Sequence, residues 1–538
     1  MAAGLMRASA VMASGTMVSR VLGFAKSMLL VYAIGMVASK SADAFANGNL
    51  LPNTLYMILA GGMINAVLVP QIVKAAKNPD GGAAYINKIL TLVLTTLAVG
   101  TAVVMLLAPW IMWLLTPEWG EAQRSLAVAF AYWCLPQIVF YGMYTVLGEV
   151  LNARSVFGPF TWAPVLNNVI AIAGIIVFVA MYGSDRNGTR SPSDWDPTAI
   201  AVLAGSATLG VIAQALVLFI SWHKAGIRYR PDFHWRGTGL GQTGRIAGWS
   251  LATITVMQLS GFITQAVVNT ASGAGASASA MQNAWLIFML PHSVLAVSLG
   301  TAYFTRLAES GQNGNMVDFR ADFSASARQI LLVMVLAAVA VFSASPFIST
   351  VFNLNADPHL VYQFTLVLQC YMLGLAAYSF LFVVQRAFYA LSDTKSPFIF
   401  TSIQIGLLVV LALCLLVLPK EWVGPGYGLV FSLTIIVQAL IAVFMLRKKV
   451  GSIDGARILA SLLQFTIAAV PALVIGWGLS LAVGVIFPDY GILAAIGFAA
   501  IDALVVTGVY LVTLRLIRSP ELAELSNFVS RKLGRNRS

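Results

Sequence analysis

Long uncharged apolar runs, recurring from one end of the chain to the other, constrain its fold more than any other feature. A helix needs about 20 apolar residues to cross the hydrocarbon core of a bilayer, and a window of that length finds about fourteen candidate spans. They centre near residues 24, 58, 102, 138, 168, 211, 257, 292, 340, 374, 408, 436, 473 and 504. Only 10% of the residues are charged, against about 25% in an ordinary soluble domain, so a water-facing surface could not be covered. The fold class expected is an all-α polytopic membrane protein. Most connections are short and carry Gly, Pro, Asp, Asn or Lys, which leaves no room for a soluble catalytic domain of about 50 residues or more.

An even number of spans puts both termini on one side, and the basic residues indicate which. With the N-terminus in the cytoplasm, only Lys40, Arg124, Arg186, Arg190 and Lys420 of the 32 Lys and Arg fall outside, and Arg20 and Lys26 fall within the bilayer. The asymmetry is the positive-inside pattern of a cytoplasmic membrane protein. Clusters such as Arg447, Lys448 and Lys449 read as anchors on anionic headgroups, so the net charge of +12 requires no nucleic-acid partner. The cysteines Cys134, Cys370 and Cys414 match no metal or disulfide spacing and read as small packing residues. The first apolar stretch runs past any small-residue cleavage site into a full span, which argues against a cleaved signal.

Two junctions suggest an internal repeat. LNARSVFGPFTWAP (151–164) and YALSDTKSPFIFTS (389–402) each place a polar turn, then a Pro, at a helix start: Arg154 with Pro159, and Ser392 with Pro397. Six spans then map onto six, a plan known in transporters. The expected organisation is an N-lobe over 1–223, an amphipathic linker over 224–245 bearing Tyr229, Phe233 and Trp235, and a C-lobe over 246–450. A helix pair over 451–518 and a basic tail over 519–538 follow.

The first span, SRVLGFAKSMLLVYAIG, carries Arg20 and Lys26. Each costs roughly 2.5–3.5 kcal/mol near a helix centre on insertion scales, so such charges usually face a cavity or a partner. Lys26 could snorkel, and Arg20 could pair with Asp43, Glu149 or Asp502 in a purely structural role. Six residues advance a helix about 9 Å and leave the two side chains about 120° apart, still within reach of one large ligand. Gly15, Ser19 and Gly23 form a small-residue stripe that would let another helix approach. An anionic ligand is expected, and the planar guanidinium suits a phosphate. The seventh span is unusually polar (Ser250, Thr253, Thr255, Gln258, Ser260, Thr264, Gln265), as a cavity lining would be. Asn167, Asn168 and His292 beside Pro291 read first as helix-to-helix hydrogen bonds or satisfiers of a kink. No Walker lysine or nucleotide-binding glycine loop is present, and no cofactor is expected.

The stretches SRVLGFAKSMLLVYAIG, ADAFANGNLLPNTLY, LNARSVFGPFTWAPVLNN, LPHSVLAVSLGTAYFTRLAE and FYALSDTKSP together resemble the MurJ (MviN) family of lipid II flippases, in the multidrug/oligosaccharidyl-lipid/polysaccharide exporter superfamily. The resemblance covers essentially the whole chain. It implies fourteen helices in two lobes plus a C-terminal pair, and alternating access that carries lipid II, the undecaprenyl-linked peptidoglycan precursor, from inner to outer leaflet of the bacterial cytoplasmic membrane. It further implies that Arg20, and Lys26 in place of a usual arginine, bind the diphosphate or sugar region, with Asp43 as the acid of the second helix. Ser19, Gly23 and Asn53 are the neighbouring candidate contacts. The last two helices would receive the lipid tail, and membrane lipids and cell-wall synthesis proteins are the implied partners.

The chain departs from the family pattern at several positions. Tyr56, Met57 and Gly61 stand where a basic pair and an acid are common, Ser27 where an acid follows the second cation, and Leu286 and Met289 where the eighth helix often carries charge. Neither the seventh nor the eleventh span contains an acid for sodium coupling. Three alternatives follow from the residues: a drug or other polyprenyl-oligosaccharide exporter, a membrane-embedded glycosyltransferase using Asp194 and Asp196 of the longest outer loop, and a scaffold for cell-wall assembly.

Overall fold

The computed structural model describes residues 2–57, 82–154, 156–224, 229–234, 240–354 and 356–523. Gly61, Trp235, the tail beyond Ala523 and the Ser250 side chain lie outside the described residues, as does the inner part of the second expected span. The described chain is all-helical, and thirteen of its helices are long and apolar enough to cross a membrane. The protein is a multi-pass membrane protein. The chain forms two compact units, Met1–Ser279 and Ala280–Ser538.

The first unit holds α1 (Ala2–Ile34), α2 (Lys40–Tyr56), α3 (Ala83–Leu115), α4 (Glu121–Cys134), α5 (Gln137–Ala153), α6 (Gly158–Tyr182), α7 (Pro197–Lys224) and α8 (Leu240–Asn269). Helices α4 and α5 make one span, interrupted at Leu135 and Pro136 because proline has no N–H to continue the ladder. The apolar interior is anchored by an aromatic train in which Phe45 and Trp195 meet Phe130 edge-on and Phe178 stacks on Trp195. Arg190 lies over the Phe178 and Trp195 rings at 5.3 and 5.6 Å, closing that end of the bundle with a cation on aromatic faces. The loop between α6 and α7 is built to stay in place. Asp185 accepts from the Thr189 and Arg190 amides, and Gly188, at φ +67°, presses on Ser39 where a Cβ would lie 2.4 Å from that side chain.

The second unit holds α9 (Ala278–Pro291), α10 (Val297–Gln312), α11 (Met316–Asn353), α12 (Pro358–Met372), α13 (Leu375–Ala390), α14 (Lys395–Cys414), α15 (Lys420–Val450), α16 (Gly455–Ile486) and α17 (Ile492–Leu516). Helix α11 is its hub, packing on α10, α12, α13, α16 and α17. Trp285, Phe288, Tyr371, Tyr378 and Phe431 interlock around one another in edge-to-face and stacked pairs. After Pro291 the chain makes a π-helical turn over His292–Ala296, and the His292 ring reaches Ser379 Oγ at 2.9 Å. His292 therefore makes a helix-to-helix hydrogen bond, one of the two roles its sequence context suggested.

Both repeat junctions are helix–turn–helix. Helix α5 ends at Ala153 and α6 opens with Pro159, while α13 ends at Ala390 and α14 carries Pro397 in its first turn. Of the linker, Tyr229 bonds Thr91 through its hydroxyl at 3.0 Å and the Asp232 amide donates to the same oxygen, so this segment rests on the start of α3.

Candidate functional site

Within the first unit, residues of α1, α2, α5, α6 and α7 enclose a cavity of about 90 Å3. Lys26 enters it from α1, half-buried, among Asn49, Gln137, Tyr141, Asn167 and Ser206. These polar groups hold one another: the Tyr141 hydroxyl donates to Gln137 Oε1 at 3.0 Å, Gln137 Nε2 donates to Thr208 Oγ1 at 2.8 Å, and Asn167 Nδ2 donates to Gln214 Oε1 at 2.8 Å. No acid lines the cavity, and no ion pair or hydrogen bond reaches Lys26 among the described residues. With no carboxylate in the lining, nothing fixed competes with an entering anion for Lys26.

Arg20 does not share this chamber. It is exposed, does not line the cavity, and makes no ion pair among the described residues. The reason is the helical phase: the small stripe of α1 turns toward α6, and the two cations flank it. A Cβ on Gly15 would lie 2.9 Å from the Trp162 ring, and one on Gly23 would sit 3.9 Å from Asn168 Nδ2. Asn168 donates to the Ser19 carbonyl at 2.9 Å and to its hydroxyl at 3.3 Å. Ser19 and Gly23 thus lie at the α1–α6 contact, and Asn168 is a helix-to-helix bond of the kind its sequence context suggested.

Asp43 is fully buried and committed elsewhere. Its Oδ2 accepts from Ser272 Oγ at 2.6 Å and its Oδ1 from the Ser279 amide at 2.9 Å. Around it Asn47 exchanges hydrogen bonds with Asn269, Trp119 Nε1 donates to the Asn269 carbonyl, and Gln123 Nε2 donates to Ser272 Oγ. This network fastens the end of α8 to α2 and α4. It was not legible in the sequence, because its members are spread over more than two hundred positions. Asn53 is exposed on α2, and its carbonyl accepts the Met57 amide. Tyr56 is buried and donates to Thr145 Oγ1 at 2.8 Å.

Neither of the other two acids considered as partners meets Arg20 or Lys26 in an ion pair. Asp502 is buried in the second unit, where Ser343 Oγ donates to it at 2.6 Å. Glu149 is half-buried in α5. The acids of the loop between α6 and α7 are helix caps: Asp194 accepts the Ser191 amide, and Asp196 accepts the Ala199 amide and the Tyr182 hydroxyl. No group of three or more His, Cys, Asp or Glu able to hold a metal occurs among the described residues.

Comparisons with known proteins agree with this architecture. The family model described as lipid II flippase MurJ matches residues 31–489. The chain is 29% identical over 419 residues to the lipid II flippase MurJ of Burkholderia cenocepacia, covering 76% of this chain and 77% of that one. It is 28% identical over 403 residues to a probable lipid II flippase MurJ of Rhizobium tropici, covering 73% and 72%. Among solved structures it superposes on a lipid II flippase MurJ in an inward closed conformation with a TM-score of 0.73 at 19% identity, covering 97% and 99%. A multidrug transporter of the MATE family, in an inward-facing conformation, gives 0.65 at 15% identity over 83% of this chain. With its matched region running through nearly all the described spans, this chain belongs to the MurJ family of lipid II flippases.

Proposed function

We propose that this protein carries lipid II from the inner to the outer leaflet of the bacterial cytoplasmic membrane, without covalent chemistry. The observation that carries the site reading is Lys26: an ammonium at a polar internal cavity, with no carboxylate to neutralise it. A diphosphate is the natural counterpart of such a group, and moving its charge through bare hydrocarbon is what a cationic passage avoids.

The 90 Å3 beside Lys26 accommodates a few water molecules and not a disaccharide peptide. Arg20, exposed on α1, is then the first contact offered to the headgroup, and Lys26 is the one that opening of the cavity adds. Alternating access would move the lobes over 1–223 and 246–450 as bodies tethered by the 224–245 linker, with the helix pair over 451–518 beside the prenyl chain. Both termini face the cytoplasm in this reading, as the Lys and Arg distribution favours. The capping roles of Asp194 and Asp196 weigh against the glycosyltransferase alternative. Docking to other cell-wall synthesis proteins is compatible with this role.

Complementation of a strain depleted of its own lipid II flippase tests the proposal. The wild-type chain should restore growth, and Arg20→Ala should abolish rescue at unchanged membrane abundance. Failure of the wild type to rescue despite normal insertion would overturn the function; full rescue by the variant would remove Arg20 from the site.

A further inference from the structure

Helix α16 packs on α11 and α17 and makes few contacts with α15 beyond their shared turn, so a cleft of about 910 Å3 opens between the end of α15 and the start of α16. We propose that this cleft is a binding site for an anionic diacyl phospholipid, separate from the transport site.

Its chemistry is divided as a phospholipid requires. Arg447 and Lys448 stand at the charged end, no acid lines the cleft, and neither residue makes an ion pair among the described residues. Their neighbour Lys449 is diverted, donating to Asp393 at 2.6 Å, so three consecutive basic residues serve two purposes. The Lys448 ammonium lies 4.7 Å from the Phe444 ring centroid, which holds it at the cleft wall. Helix α16 starts at Gly455, whose cap residue Asp454 makes no capping bond and instead accepts from Ser324 Oγ at 2.6 Å. Gly455 and Ala456, the first two residues of α16, line the cleft and turn the start of the helix toward an anion held by the two cations.

The turn joining the helices is braced from behind. Arg320 donates to the Val450 carbonyl, and Ile453 is buried. Above the charged end the walls turn apolar, with Phe444 and Leu459 in the cleft and Leu440 and Leu463 exposed farther along the two helices. Both helices are candidate membrane spans, so this end lies at headgroup depth and the apolar walls at acyl depth. A basic pocket between spans at that level is a known mode of acidic lipid recognition. A free phosphate would leave the apolar walls empty, and a zwitterionic lipid would leave Arg447 and Lys448 uncompensated.

Native mass spectrometry of the full purified chain, supplied with phosphatidylglycerol or phosphatidylcholine, tests this. The wild type should retain phosphatidylglycerol preferentially, and Arg447→Gln with Lys448→Gln should lower that retention about tenfold or more. Lys449→Gln should leave it unchanged. Leu459→Trp, which fills the cleft with every charge kept, should also lower it, and thermal melting of each variant verifies folding. Unchanged retention in the double variant, or retention that depends on charge but survives Leu459→Trp, would overturn the site. Displacement of phosphatidylglycerol by undecaprenyl diphosphate would likewise overturn it, by assigning the cleft to the transported lipid.

Discussion

The carboxylate of Asp43 accepts the backbone amide of Ser279 across 236 positions of sequence, and with Ser272 it ties the start of α2 to the turn after α8. An acid that reads from sequence as a partner for a nearby cation is here consumed by a turn. Removing it leaves a buried amide and hydroxyl without acceptors, each worth roughly 1–3 kcal/mol. Asp43→Ala should therefore lower the melting temperature of the purified protein by several degrees and reduce its abundance. A variant that melts like the wild type would show that the network is dispensable.

Lys26→Met should separate stability from transport. The substitution keeps the length of the side chain and removes a charge that has no partner, so the melting temperature should hold or rise. Headgroup transfer should fall at least about tenfold, since a single charge-assisted contact to phosphate is worth that much. A variant that loses both folding and transport would assign Lys26 to structure.

Helices α6 and α7 meet with no room to spare at Gly210. A Cβ there would lie 2.5 Å from Asn167 Oδ1 and 2.8 Å from the Asn167 carbonyl oxygen, and backbone cannot step aside as a flexible side chain can. Gly210→Ala should cost about 1–3 kcal/mol, the range for overpacking, and should disturb the Asn167–Gln214 bond beside the cavity. Thermal melting reads the first effect and transport the second.

Glu521 gives the second unit a pH dependence. Burial alone would raise its pKa, but hydrogen bonds from Arg328 at 2.6 Å, Ser461 at 2.8 Å and Ser519 at 3.1 Å outweigh that and hold it below the ordinary glutamate value of 4.5. A depressed carboxylate contributes stability that is present above its unfolded pKa and lost as pH falls through the folded one. Glu521→Gln leaves Arg328 buried and unpaired, a loss of roughly 3–5 kcal/mol at neutral pH. The gap between variant and wild type should close below about pH 4.5. Melting curves at pH 7 and at acid pH check both halves, and a gap independent of pH would exclude the ion pair as its source.

The spans, their kinks and the two repeat junctions were legible because each rests on a local rule. Apolar length marks a crossing, Pro291 marks the break where the π-helical turn begins, and Pro159 and Pro397 mark helix starts. The anomaly of Arg20 and Lys26 was equally visible, since charge stands out against an apolar run. How the two cations part company was not. Their angular separation about α1 could be counted, but which flank meets Asn49 and Gln137 depends on α6 seating itself against Gly15 and Ser19. Long-range polar latches such as Asp43 with Ser279, or Arg328 with Glu521, leave no pattern in spacing at all.

The seating of α1 on α6 also limits how the helix can act. With Trp162 wedged at Gly15 and Asn168 gripping the Ser19 carbonyl, α1 is keyed against rolling about its long axis. Arg20 and Lys26 are consequently fixed posts on one rigid rod. Any molecule that is to touch both must be handed from one to the other, by its own travel or by the withdrawal of neighbouring helices.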